Sequence, residues 1–382
     1  MSPSRVSIVC LTFLATCATV GAVAGQENDV PANVPMQSIF SNYSYPGIDW
    51  GALDDPKNDG LLRACLHGAT RSDLARLALS DLQARLTTLE KGKLLRQSDG
   101  RYLLNFPVVV GAARVRLASS IHPVAVELLP AVRQMIGRIK PLLNNDQDML
   151  YHFTWSLMMD TGAVAWPVVE LQLKRVLQKD TIDLNTCWWL YPNHPYRAGT
   201  NTYGDSSGTL IISWHATVPP PDEVRETLRA SQDALLASAL KDEPMPRDKI
   251  TDKLRAFGFV GGRNRSRLFI LDVSSPLVPV VSECSGQFAQ LAMTHMNIGA
   301  IAKDLGTEPE GATVIAYHEL CYEILGILST SGELTIPQAT TGNLQGVRSL
   351  VSFIPLPPAS QGEQMEKTLR EIVQQHAGQT AP

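Results

Sequence analysis

The most chemically suggestive neighbours in the chain are His318 and Glu319, set among Tyr317, Leu320, Ile324 and Leu328, which recur at helical spacing. An imidazole and a carboxylate on one helix are ligand types for a divalent metal. A helix that grips zinc needs a second His four residues on, so that both rings face one ion. Position 322 is Tyr, so His318 and Glu319 reach a metal-dependent hydrolytic role only if distant residues join them, and no metal or cofactor is assigned. The second candidate is Asp160, followed by Thr161 and Gly162, whose hydroxyl and backbone can hold a carboxylate in place. Acid–base hydrolysis there requires a second carboxylate to share a proton, and the chain has a single Asp-Thr-Gly. The third is Ser206 in Gly204-Asp205-Ser206-Ser207-Gly208, a nucleophile only if a base and an orienting acid come with it.

Two of these segments resemble known catalytic turns. Asp160-Thr161-Gly162 is similar to the catalytic turn of aspartic proteases, which implies a partner carboxylate from elsewhere. Gly204 to Gly208 resembles the nucleophile turn of trypsin-like proteases, which implies an upstream His in an Ala-His-Cys turn. His122, His152 and His194 have no such setting, and Ser207 stands where that family has Gly.

A different kind of site is suggested by Cys187 to Ser207, read as a loop. It carries Trp188, Trp189, Tyr191, His194, Tyr196, Arg197, Asn201 and Tyr203. Amphipathic aromatics mixed with Arg and Asn are the composition of binding surfaces. The same composition also makes a plug over a core. No phosphate-binding loop is present: Gly261-Gly262 runs into Arg263 and Arg265, not Gly-Lys-Ser.

The chain of 382 residues is 44% apolar and 18% charged, with a net charge of -4. That is a foldable composition, and its bulk charge excludes general polyanion binding. Arg5, the uncharged run Val6 to Ala24 and Ala22-Val23-Ala24 form a signal peptide over residues 1–24, with cleavage expected before Gly25. An uncleaved anchor is the alternative. No other stretch reads as long and apolar enough to cross a bilayer. Export permits disulfides among Cys65, Cys187, Cys284 and Cys321, but a chain this long can equally keep them as buried thiols.

The elements that must hold these groups begin after a Pro- and Asn-rich linker, residues 25–56. Leu61, Leu62 and Leu66 start a helix, Thr70 or Ser72 caps a short one, and Ser80 to Gln83 has capping-box spacing before Leu82, Leu86 and Leu89. Gly92 ends that helix, and Ser98-Asp99-Gly100 turns a hairpin between Lys93–Gln97 and Arg101–Phe106. This order resembles the winged-helix superfamily, over residues 57–120. The resemblance implies a DNA reader, with Gln83, Arg85 and Arg101 as its contact residues. Leu61 to Phe106 holds eight basic and four acidic residues, enough excess to hold phosphates. Yet Asp81 at the reading end repels phosphate, and an exported DNA reader has no substrate.

Beyond it, residues 107–121 read as strand and 123–143 as a helix interrupted at Pro130. Residues 149–159 and 166–177 fit either helix or strand. A helical insertion at 219–260, broken at Pro244 and Pro246, precedes strands at 267–273 and 277–281. Gly332-Glu333-Leu334 after a helix echoes the first module, so a second, degenerate winged helix near the C-terminus is an alternative for 286–337. A strand at 350–354 and a helix at 365–374 close the chain. The fold class is α+β, with a larger mixed domain over 121–377. The expected function is an exported, periplasmic or extracellular protein that binds or scaffolds without catalysis, its partner a protein or small molecule and not nucleic acid. An envelope hydrolase using Asp160 or His318/Glu319 is the first alternative. A DNA-binding regulator is the second.

Overall fold

The computed structural model describes residues 40–41, 52, 55–160, 163–205, 208–215, 222–257, 259–336, 350–355 and 359–378. The expected signal peptide, most of the linker, and Thr161, Gly162, Ser206 and Ser207 lie outside the described residues. Strand β1 is Phe40–Ser41. Helix α1, Pro56–Ala64, starts with Pro in its first turn beneath Asp55, whose carboxylate accepts from the Lys57 N–H at 3.0 Å. Strand β2 (Ala69–Thr70) leads into α2 (Arg71–Ala75), capped by a reciprocal Thr70–Asp73 box. Helix α3, Leu82–Lys91, begins at Asp81 without a side-chain cap. The box expected from Ser80 and Gln83 is thereby corrected: the Asp81 carboxylate takes the Arg85 Nε at 3.0 Å instead. Strands β3 (Leu95–Ser98) and β4 (Arg101–Leu104) form the expected hairpin, turning at Asp99 and Gly100 with φ of 50° and 72°. The three strands pair in the order β2-β4-β3 over Leu61, Leu62, Leu74, Leu86 and Leu89.

Strand β5 holds only Val108–Val109, and α4, Gly111–Ile139, follows at once. The expected strand over 107–121 fails because Leu117, Ile121, Val124, Leu128 and Val132 are buried at three- and four-residue spacing, a helical stripe. Pro123 and Pro130 lie inside this one helix, so Pro130 does not restart it, and the boundary drawn at residue 120 falls within it. By length and hydropathy alone Gly111–Leu143 could cross a membrane, contrary to the sequence reading, although its buried stripe faces the protein core. After α5 (Gln147–His152) comes an eight-residue π-helix, Phe153–Asp160, then α6, Ala165–Leu177. Phe153 to Met159 are all buried, so no polar face existed to distinguish helix from strand.

Strands β6 (Cys187–Leu190) and β7 (Ala198–Asp205) replace the loop expected over Cys187 to Ser207, and β8 (Gly208–His215) covers Thr209 to Trp214, whose composition reads as strand. The insertion comprises α7 (Asp222–Ala230), α8 (Gln232–Lys241) and α9 (Lys249–Ala256), the last two separated at Pro244 and Pro246 as expected. Leu228, Leu235, Leu254, Phe257 and Phe259 pack there on Leu210 and Ile212 of β8. Strand β9 keeps only Phe269–Ile270 of the run expected over 267–273. Leu277–Val281 is the start of α10, Leu277–His295, and not a strand. Its Val-rich opening favours strand locally, but Leu277, Val281, Cys284 and Phe288 make a buried helical stripe that decides the matter.

Helices α11 (Ile298–Leu305) and α12 (Pro309–Thr330) complete the main core. After α12, Gly332 to Ile336 are turn and coil, so among the described residues of 286–337 the helices are followed by no strand of a second winged helix. Strand β10 (Leu350–Pro355) joins the sheet β7-β8-β10-β9, and α13 (Ala359–Gly378) packs along α10. The architecture is mixed α and β, with helix predominant. Cys65, Cys187, Cys284 and Cys321 are all free and buried.

Candidate functional site

Strand β6 pairs with β1 on one side and β5 on the other. Successive side chains on a strand point to opposite faces. Cys187 and Trp189 therefore enter the core of the N-terminal module, and Trp188 and Leu190 enter the main core. All four are buried, so Trp188 and Trp189 fill cores, the second of the two roles that the composition of this stretch allows. The aromatic richness serves two cores at once. Tyr191 stacks on Trp189 at 6.5 Å, and the Tyr191–Pro192 bond is cis. Asn201 and Tyr203 align with Ile212 and Leu210 in the β7–β8 register, and their side chains lie outside the described set.

The remaining polar members of that stretch turn inward toward α12. The Tyr196 N–H donates to His194 Nδ1 at 3.1 Å, which leaves the His194 proton on Nε2, donated to Glu323 Oε2 at 2.9 Å. His122 Nδ1 lies 2.6 Å from the other oxygen of Glu323. Burial works to raise the Glu323 carboxyl, but the hydrogen bonds from His194 and His122 outweigh it and hold it below the ordinary glutamate range. Arg197 is buried, and burial lowers its guanidinium to about 10, against the opposing pull of Tyr322 and Glu319. The Tyr196 ring rests against Gly326, where a Cβ would come within 2.6 Å of its Cδ2.

Asp160, His318 and Glu319, nominated from separate motifs, belong to this same buried cluster. His318 donates from Nδ1 to the Val314 carbonyl at 2.8 Å, the bond available one turn back along α12. Its Nε2 faces Asp160 Oδ1 at 3.4 Å, with side-chain exposures of 8% and 12%. Trp166 and Trp188 flank the imidazole at 5.5 and 5.0 Å, and Trp166 Nε1 donates to the Asp160 carbonyl. Glu319 Oε2 lies 2.9 Å from Arg114 Nη2, and Arg114 Nε donates to the Pro192 carbonyl at 3.0 Å. Burial pushes the Glu319 carboxyl up, while Arg114, His194 and His318 pull it down.

The group facing Asp160 is the His318 imidazole, and Glu319 is paired with Arg114, so the second carboxylate that the aspartic-protease likeness implies is not supplied by Glu319. The metal reading of His318 and Glu319 fares similarly, because the two side chains serve different partners. Among the described residues no group of three or more His, Cys, Asp or Glu is placed to hold a metal ion.

The three residues expected to read DNA are tied within the module. Arg85 Nη1 bonds Asp55 at 2.6 Å and Asn58 at 2.8 Å, in addition to Asp81. Gln83 reaches Thr87 at 3.4 Å, and Arg101 donates to the Gly68 carbonyl at 2.9 Å.

One network gave no sequence signal. His152, wholly buried, joins Ser213 Oγ at 2.5 Å and Ser352 Oγ at 2.7 Å. Ser213 also bonds Ser156, which meets Thr200 at 2.8 Å. Burial drives His152 down to about 3, so the ring is neutral and links α5 to strands β8 and β10. Its partners are separated from it by 61 and 200 positions, beyond any local pattern.

No protein-family model matches the chain, and neither the curated proteins nor the solved structures contain a match.

Proposed function

We propose that this is an exported, non-catalytic binding or scaffolding protein of the cell envelope, in which a winged-helix-like module over residues 57–120 serves as architecture. The carrying observation is the double use of β6: Trp189 and Cys187 complete the module's core while Trp188 and Leu190 complete the main one. A DNA-reading module works from an exposed helix with free donors. Here Arg85 is 12% exposed at its side chain and engaged by two carboxylates. The helix-strand order and the β2-β4-β3 pairing support the winged-helix likeness.

Cell fractionation with N-terminal sequencing tests the export half of this reading. Mature protein beginning at Gly25, outside the cytoplasm, is expected. Intact cytoplasmic protein contradicts it. The approach of Asp160 to His318 favours one second reading, a hydrolase with this pair as acid and base. That reading requires hydrolytic activity lost in Asp160→Asn while the fold persists.

A further inference from the structure

The helical insertion carries an open cleft of about 1140 Å³ where the α8–α9 connection and the loop after α9 face each other. Arg247, Arg255, Arg263 and Arg267 line it, and Asp252 is the one carboxylate among the lining residues. Arg255 is already committed, at 2.6 Å to Asp252 and to Asn264. Arg265, on the same loop, is paired with Asp242. Among the described residues no carboxylate lies within ion-pair distance of Arg247, Arg263 or Arg267, and all three are exposed. Arg85, Arg114 and Arg133, by contrast, each pair with a carboxylate. Three guanidiniums without a carboxylate partner, contributed from both sides of the cleft, focus a positive potential into it, and a bound anion relieves that cost.

The wall is shaped for this. A Cβ on Gly261 would come within 2.9 Å of Arg267 Nε, so the glycine lets that guanidinium lie against the backbone. A guanidinium offers paired N–H donors at the spacing of two phosphoryl oxygens, and three of them suit a ligand with more than one negative charge. With a chain charge of -4, such affinity is local to the cleft and not a property of the whole molecule.

We infer that this cleft binds a phosphate-bearing ligand through Arg247, Arg263 and Arg267. The source is a soluble phosphate compound or a phospholipid headgroup. The inference is independent of the module's role.

Calorimetric titration of the full chain with inorganic pyrophosphate, and co-sedimentation with phosphatidylglycerol or phosphatidylcholine vesicles, separate the two sources. Binding in either arm is expected to weaken about tenfold or more, the equivalent of about 1.4 kcal/mol, in Arg263→Ala/Arg267→Ala, which removes two of the three charge-assisted donors. Arg175→Ala, exposed on α6, leaves it unchanged. If the alanine pair is misfolded by its thermal transition, Arg263→Lys/Arg267→Lys keeps the charge and is expected to bind about threefold more weakly through loss of paired donors. Pyrophosphate binding identifies a soluble ligand, and selective retention on phosphatidylglycerol alone identifies a headgroup. Absence of both, or affinity unmoved in the folded arginine variants, overturns the inference.

Discussion

Asp160 Oδ1 and His318 Nε2 stand 3.4 Å apart where the π-helix ends against α12, enclosed by Trp166 and Trp188. The pair joins two segments of the main core. Removing one member leaves the other buried beside an uncharged partner, which costs about 1–3 kcal/mol. Asp160→Asn is therefore expected to lower stability by that amount in urea unfolding. The Asp160→Asn/His318→Gln double variant should lose less than the sum of the single ones, the mark of direct coupling.

Strand β6 gives side chains to both the module core and the main core, so the two are expected to unfold as one cooperative unit. Trp189→Ala opens a cavity in the module core, expected to cost about 3–5 kcal/mol. Because Trp188 and Leu190 sit on the same strand in the other core, calorimetry should still show a single transition, shifted down. Two separated transitions in the unsubstituted protein would show that the strand does not couple the cores.

His152 supplies a pH dependence. Its folded value, about 3, lies below the ordinary 6.5, so the unfolded chain binds the extra proton between those limits. The contribution to stability is complete above about pH 6.5 and declines as pH falls toward 3, by up to about 1.4 kcal/mol per pH unit. Urea midpoints measured across that window are expected to fall less steeply in His152→Gln than in the unsubstituted chain.

Gly326 is a contact position for Tyr196. Alanine there meets the ring at 2.6 Å and must displace it, along with the 3.1 Å bond from its hydroxyl to Thr330. Overpacking of this kind costs about 1–3 kcal/mol. A thermal shift is the simplest check, and Tyr196→Ala in the same background should reduce the penalty.

The local devices of the module were legible because they depend on nearby residues. Thr70 caps its helix and Asp99-Gly100 turns its hairpin, as their types and spacing indicate. Elsewhere tertiary context overrode local preference. Val278 and Val280 favour strand, but the helical stripe through Cys284 and Phe288 is buried against the core. Cys187 to Leu190 shows no alternation of polar and apolar residues because both strand faces are buried, each in a different core. Asp160, His318 and Glu319 were each visible as chemistry-bearing types. Their assembly with Arg114 and the histidines around Glu323 depends on how α4 and the π-helix meet α12, which no spacing encodes.

The most direct test of the module's role is a fluorescence-anisotropy titration of labelled duplex DNA with the full chain at low salt. With Arg85 held by Asp55 and Asp81, no binding above that of an unrelated protein of similar charge is expected, and Arg85→Ala should change stability only. Salt-sensitive binding that weakens in Arg85→Ala would contradict the architectural role.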